Sequence, residues 1–141
     1  MTLQSLMQEE ALKFLLNQQR GVLAYIGSDG DLYQFPVDFY FDGEYIWAHM
    51  LEGDATRALR ANPQCSLFTE NVQDSYHWCN ALARGEYIEI TDERHRERVL
   101  AELFHRFPQL TSVESEMSEG LYQCVVYSIK VGHITGRKEE W

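Results

Sequence analysis

The sequence predicts a mainly β, α+β protein: an antiparallel barrel or sheet with flanking helices. Three observations carry this expectation. Extended apolar runs follow one another through turn dipeptides such as Asp42-Gly43, helical periodicity is confined to three separate stretches, and no Gly-rich phosphate fingerprint marks a βαβ unit. At 141 residues, with 45% hydrophobic and 13% aromatic side chains, the chain reads as one domain over 1–141 with a single core.

The elements are justified in order. Met7, Ala11, Phe14 and Leu15 fall on one helical face, so a helix is predicted from a Ser5/Gln8 capping box to about Gln19, stopped by Gly21. Val22 to Ile26 reads as a strand, Ser28-Asp29-Gly30 as a turn, and Leu32 to Phe41 as a second strand. Asp42-Gly43 then predicts a two-residue type I′ turn into Tyr45-Ile46-Trp47. Asp54 to Ala61 is a short helix ended by Asn62-Pro63, because the residue before proline is pushed out of helical geometry.

Cys65 to Thr69 and Tyr76 to Ile90 are the next strands, with Gly85 as a bulge or bend in the longer one. Thr91-Asp92-Glu93 caps a helix whose Val99, Leu100, Leu103, Phe104 and Phe107 form one stripe, closed by Pro108. Ser112 to Gly120 is a polar, acidic connection. Leu121 to Ile134 is the final strand, apolar on both faces, which suits a barrel strand covered outside by a helix or a partner chain.

A net charge of −10 opposes nucleic acid and anionic membrane surfaces, which both require the protein's own cations to replace condensed ones. The first ten residues carry Glu9 and Glu10 and no basic flank, so no secretory leader is expected. Cys65, Cys79 and Cys124 form no C-x-x-C pair and read as small hydrophobes in a reducing cytoplasm. His77, His95, His105 and His133 lack metal spacing, and no nucleophile-His-acid or paired-carboxylate pattern favours hydrolysis.

Several strings together carry a family resemblance. They are Pro36-Val37-Asp38-Phe39, Ala48-His49, Gly53 with Arg57 and Leu59, Asn62-Pro63, Trp78 with Asn80-Ala81 and Gly85, and Ile134-Thr135-Gly136-Arg137. Their succession from about Ala11 to Lys138 resembles the nitroimidazole-reductase-like branch of the pyridoxamine 5′-phosphate oxidase superfamily.

The resemblance implies a six-stranded antiparallel split β-barrel, paired as a homodimer with two FMN sites at the interface. It implies that Val37, Asp38 and Phe39 face the flavin ring and that His49, Met50, Thr56 and Arg57 lie near its phosphate. Trp78 and Asn80 would line the site, from either chain.

This sequence departs from the family pattern at Ala55, where the family has a phosphate-binding Lys, and at Asp54, which puts a carboxylate in the same turn. Arg57 or Arg84 are substitutes by type, since guanidinium pairs well with phosphate. His49 reads as a phosphate donor or heme ligand on one side and as a hydrogen-bonded structural histidine on the other, and Trp78 as a packing residue. The function implied is a flavin-dependent oxidoreductase moving electrons from a nicotinamide nucleotide to a small acceptor. The alternatives are an FMN or heme carrier without turnover, a deazaflavin protein, and a dimeric module without cofactor.

Overall fold

The computed structural model describes residues 3–107 and 124–141. Eight strands and three helices follow in the order β1 (Gln4–Ser5), α1 (Gln8–Leu16), β2 (Arg20–Ile26), β3 (Leu32–Asp38), β4 (Tyr40–Phe41), β5 (Tyr45–Leu51), α2 (Asp54–Ala61), β6 (Gln64–Asp74), β7 (His77–Glu89), α3 (Glu93–Arg106) and β8 (Cys124–Glu139). All pairings are antiparallel, in the order β3-β2-β6-β7-β8-β5-β4, with β1 added to β8.

The two ends of that order, β3 and β4, are separated in the chain by Phe39 alone. Two peptide units span at most about 7 Å, so the sheet must curl until its ends meet. β3 bonds to β2 and β4 to β5, and no residue of the run bonds to both. The barrel is therefore closed by the covalent chain and left open along one hydrogen-bonding seam. Counting β3 and β4 as the single run expected from Leu32 to Phe41, six strands surround the core, which is the split barrel that the motifs implied.

Alternation sets the inside. Leu23, Leu67, Ala83 and Ile134 are register partners across β2, β6, β7 and β8, and all are buried. Ala11, Phe14 and Leu15 of α1 and Leu59 of α2 complete the main cluster. A second cluster lies outside the barrel wall, where Val99 and Leu103 of α3 cover Val126 of β8. That is why Cys124 to Ile129 is apolar on both faces: one face lines the barrel and the other lies under a helix. Leu121, Tyr122, Pro108 and the Ser112 to Gly120 connection lie outside the described residues.

Four local expectations are corrected. The first helix begins after Met7, whose N–H donates to Glu10 Oε1 at 3.2 Å, while Ser5 pairs with Arg137 in β1. It ends at Leu16, where the Asn17 side chain donates to Lys13 O at 2.9 Å, so Gly21 does not stop it. Gly21 serves the sheet instead, since a Cβ there would meet Phe68 O at 2.6 Å.

The turn after β4 centres one residue late. Only Gly43 has positive φ (104°), and Asp42 acts through its carboxylate, accepting the Glu44 and Tyr45 N–H groups at 2.9 and 2.7 Å. β6 and β8 also run beyond their expected ends, to Asp74 and Glu139, because each finds a full-length partner in β7.

The expected bulge at Gly85 is present as a register shift between Arg84 and Gly85 against β8. A Cβ on Gly85 would lie 2.2 Å from Lys130 O, whereas one on Gly132, across the bulge, would come no nearer than 3.8 Å to Arg84 O. Gly85→Ala should therefore cost about 1–3 kcal/mol in denaturant unfolding. Gly132→Ala should stay within about 0.5 kcal/mol of the parent.

Candidate functional site

The first candidate is the free edge of β3. The Phe39 N–H donates to Gln19 O at 2.9 Å, which fixes the alternation of the ladder. Odd residues from Tyr33 to Phe39 turn their N–H and C=O groups to β2, and even ones turn theirs outward. Pro36 fits the outward set, since it has no N–H to lose and proline is confined to such edges. The open edge thus presents the amides of Gln34 and Asp38 and the carbonyl of Pro36.

Of the three predicted ring-facing residues, Val37 and Phe39 are buried in the barrel core, Val37 with its backbone turned to Gly21 of β2 and Phe39 with its N–H on Gln19, just before β2. Asp38 alone offers an outward N–H. Its carboxylate accepts from Arg20 Nη1 at 2.8 Å across the β2 ladder.

The second candidate is the start of α2, where Gly53 is the N-cap. The Gly53 N–H donates to Thr56 Oγ1 at 3.0 Å, and the Thr56 hydroxyl donates to the Glu52 carboxylate. Thr56 is fully buried, so it serves the cap and not a ligand. Arg57 Nη2 lies 2.6 Å from Asp54 Oδ1, so both the expected cation and its partner turn are engaged with each other. Two carboxylates and a neutralised arginine make this helix start a poor seat for a phosphate, whatever its dipole offers.

Behind it stands an ion network that sequence reasoning missed. Arg60 bridges Glu52 at 2.7 Å and Glu89 at 2.9 Å, and the Tyr87 hydroxyl donates to Glu89 at 2.7 Å. The Arg60 guanidinium, and then the Thr56 hydroxyl, hold the Glu52 carboxyl down at about 2. The partners are 8 and 29 residues apart, and no local pattern announces them.

The remaining predicted residues fall in different places. His49 shares the outer face of β5 with Trp47, and its ring lies 5.6 Å from that of Phe104 on α3. Met50 points the other way, against the barrel core. Trp78 and Asn80 stand at the opposite end of β7: Trp78 Nε1 donates to Glu139 Oε2 at 3.1 Å, and Asn80 Oδ1 accepts the Arg137 N–H at 3.1 Å. His49 pairs with Val126, the residue whose carbonyl takes the Ile90 N–H at the far end of β7. Asn80 is nine residues from Glu89 along that strand, about 30 Å of extended chain. One chain does not bring His49 and Asn80 together.

Two clefts lie near these elements. One, of about 380 Å³, sits between the β2–β3 turn and α2, with Tyr25, Tyr33, Asp29, Asp54 and Arg57 in its walls. The other, of about 440 Å³, opens at the barrel mouth beside α1, between Phe14, Trp141, Lys13 and Lys138. Among the described residues no group of three or more His, Cys, Asp or Glu is placed to hold a metal, and no helix is long and apolar enough to cross a membrane.

A split barrel whose β3, ending in Pro36-Val37-Asp38, leaves one hydrogen-bonding edge open defines a class of proteins, and the comparisons narrow it. The model of the family described as pyridoxamine 5′-phosphate oxidase matches residues 7–138. The chain belongs to that family. None of the curated proteins matches it.

Among solved structures it is similar to an FAD-binding protein from Mesorhizobium loti, at 21% identity and a TM-score of 0.76 over 98% of this chain and 99% of that one. A candidate 5-nitroimidazole antibiotic resistance protein from Bacteroides thetaiotaomicron is 14% identical, with a TM-score of 0.72 over 97% and 89%. An F420 reductase is 20% identical, with a TM-score of 0.64 over 86% and 94%. At these identities the likeness is one of fold.

Two outcomes follow from the site's chemistry. Because the folded Glu52 carboxyl titrates at about 2 instead of 4.5, its contribution to stability is complete above about pH 4.5 and is lost as pH falls through 2. The difference in melting temperature between the parent and Arg60→Met should shrink across that window and not above it. Burial pushes the Cys65 thiol up to about 12 and raises those of Cys79 and Cys124. A thiol reagent at neutral pH should therefore label the native protein slowly and all three cysteines quickly in denaturant.

Proposed function

We propose that the chain is an FMN-binding homodimer that passes electrons from a nicotinamide nucleotide to a small acceptor in a reducing cytoplasm. The observation that carries this reading is the open edge of β3. Amide donors at Gln34 and Asp38, with the Pro36 carbonyl between them, match what the N5 and pyrimidine edge of a flavin require.

When bound, the flavin would supply the electron chemistry, and the chain would hold and orient it. Val37 and Phe39 anchor the edge from inside the barrel, so that the donors on either side of Pro36 are fixed before a ligand arrives. The pairing of chains is supported by the separation of Asn80 from His49: if both meet one ligand, the second must come from another copy.

A second reading has its own support. Ala55, Asp54 and the Arg57–Asp54 pair remove the family's phosphate contact, which favours a dimer that has lost the cofactor and serves in partner binding. The spectrum of the purified protein separates the two. The flavin reading expects a yellow protein that quenches FMN fluorescence on titration, bleaches anaerobically with NADH or NADPH, and runs at twice the monomer mass in light scattering. A colourless monomer that leaves FMN fluorescence unchanged would sink it.

A further inference from the structure

Where α1 crosses the mouth of the barrel, the side chains beneath it do not fill the space. Asn71, Cys79 and Lys138 are register partners across β6, β7 and β8, one step beyond the row that holds the buried Thr69 and Ala81. Small residues on this face leave the cleft of about 440 Å³ between strands and helix. That volume is in the ordinary range for ligand pockets, about 300–1,000 Å³. From above, Glu10, Lys13, Phe14 and Asn17 follow at i, i+3, i+4 and i+7, so one face of α1 forms the roof.

Two ammonium groups stand against one carboxylate in these walls, which leaves one positive charge in excess in a chain of net charge −10. Lys138 Nζ lies 2.8 Å from Glu10 Oε2, and this bond holds the Glu10 carboxyl below its usual range. It uses one of the three Lys138 N–H donors. Among the described residues no acceptor meets the other two, although the side chain is only 23% exposed. Lys13 takes part in none of the described ion pairs. The carbonyls at the end of α1 would repel an anion, but they are occupied. Lys13 O accepts the Asn17 side-chain amide at 2.9 Å, and Phe14 O and Leu15 O accept the Asn17 and Gln18 N–H groups at 3.1 Å.

The rest of the cleft is apolar and aromatic. Phe14 and Trp141 meet edge to face, with ring centres 6.0 Å apart and planes at 79°. Phe14 is anchored in the core, while Trp141 keeps 47% of its surface open. Cys79 is buried, and burial raises its thiol, so the floor is uncharged at neutral pH.

We propose that the barrel mouth binds a planar aromatic monocarboxylate. The ring packs against Trp141 and Cys79, and the carboxylate accepts from Lys13 and from the remaining donors of Lys138. One excess positive charge matches a monoanion better than a phosphate dianion, and a neutral ring would leave the Lys138 donors unmet. None of the residues that the family resemblance assigns to the flavin lines this cleft. The site therefore goes beyond the flavin reading and does not rest on it.

The test titrates the whole protein with 2-naphthoate, 2-naphthamide and 2-naphthyl phosphate by calorimetry, while NMR follows the Trp141 indole N–H. The expected result is that 2-naphthoate shifts that signal and binds about tenfold more tightly than either analogue. Lys13→Ala and Trp141→Ala, both at exposed positions, should each weaken 2-naphthoate about tenfold, and Lys13→Ala should leave 2-naphthamide unchanged. Arg94→Ala, on the exposed surface of α3, should change nothing.

If 2-naphthoate leaves the Trp141 signal in place, or if the amide or the phosphate binds as well as the carboxylate, the proposal is wrong. Saturating FMN should not alter the affinity for 2-naphthoate, whether FMN binds at the β3 edge or does not bind at all. Displacement of 2-naphthoate by FMN would make the cleft part of the flavin's seat and overturn a separate site. Loss of FMN binding with 2-naphthoate retained would instead sink the flavin reading alone.

Discussion

Phe39 is where one extended run changes neighbours, and the rest of the barrel is arranged around that change. Its amide still bonds to Gln19 on the β2 side, while the next residue, Tyr40, already pairs with Trp47 of β5. Both sets of bonds cannot be made by the same residues, so the switch leaves a seam. What compensates is apolar burial: Phe39 is wholly inside, and burying a side chain of that size stabilises by about 1.5–3 kcal/mol. The seam in turn is what frees the outward amides of β3. An ordinary closed barrel would have spent them on a neighbouring strand.

That constraint explains why the predicted ring-facing residues divide as they do. In a strand with one bonded and one open side, backbone groups alternate, so neighbouring residues cannot all serve a ligand through their amides. Val37 and Phe39 bond inward and Asp38 outward, and Pro36 is tolerated because its missing N–H would have pointed to solvent. The contribution of Val37 and Phe39 is rigidity. A donor on an edge strand is useful only if the strand stays in place, and two buried side chains flanking Asp38 hold it.

Much of the fold was legible in the sequence where the signal was local. The Asp54–Ala61 helix and its Asn62-Pro63 stop, the Asp92 cap accepting the His95 N–H at 2.9 Å, and the Gly85 bulge all rest on chemistry within a few residues. Gly21 was misread for the same reason: nothing nearby distinguishes a glycine that ends a helix from one that lets Phe68 O approach within 2.6 Å of where a Cβ would be. The Ser5 cap failed because Ser5 is claimed by a strand 132 residues away in sequence, at Arg137. At the site, residue types were legible but not their company. Thr56 is a reasonable phosphate donor by type, and only the fold reveals that Glu52 and Gly53 occupy it.

Charge placement decides what the start of α2 can receive. At the α2 start, each cation sits against a carboxylate, so a phosphate would first have to break Arg57 from Asp54 or Arg60 from Glu52 and Glu89. Leaving those carboxylates unpaired beside a bound dianion adds repulsion to the loss. With Ala55 adding no cation, the helix start is an acidic, self-satisfied joint in which Arg60 ties Glu52, at the end of β5, to Glu89 of β7.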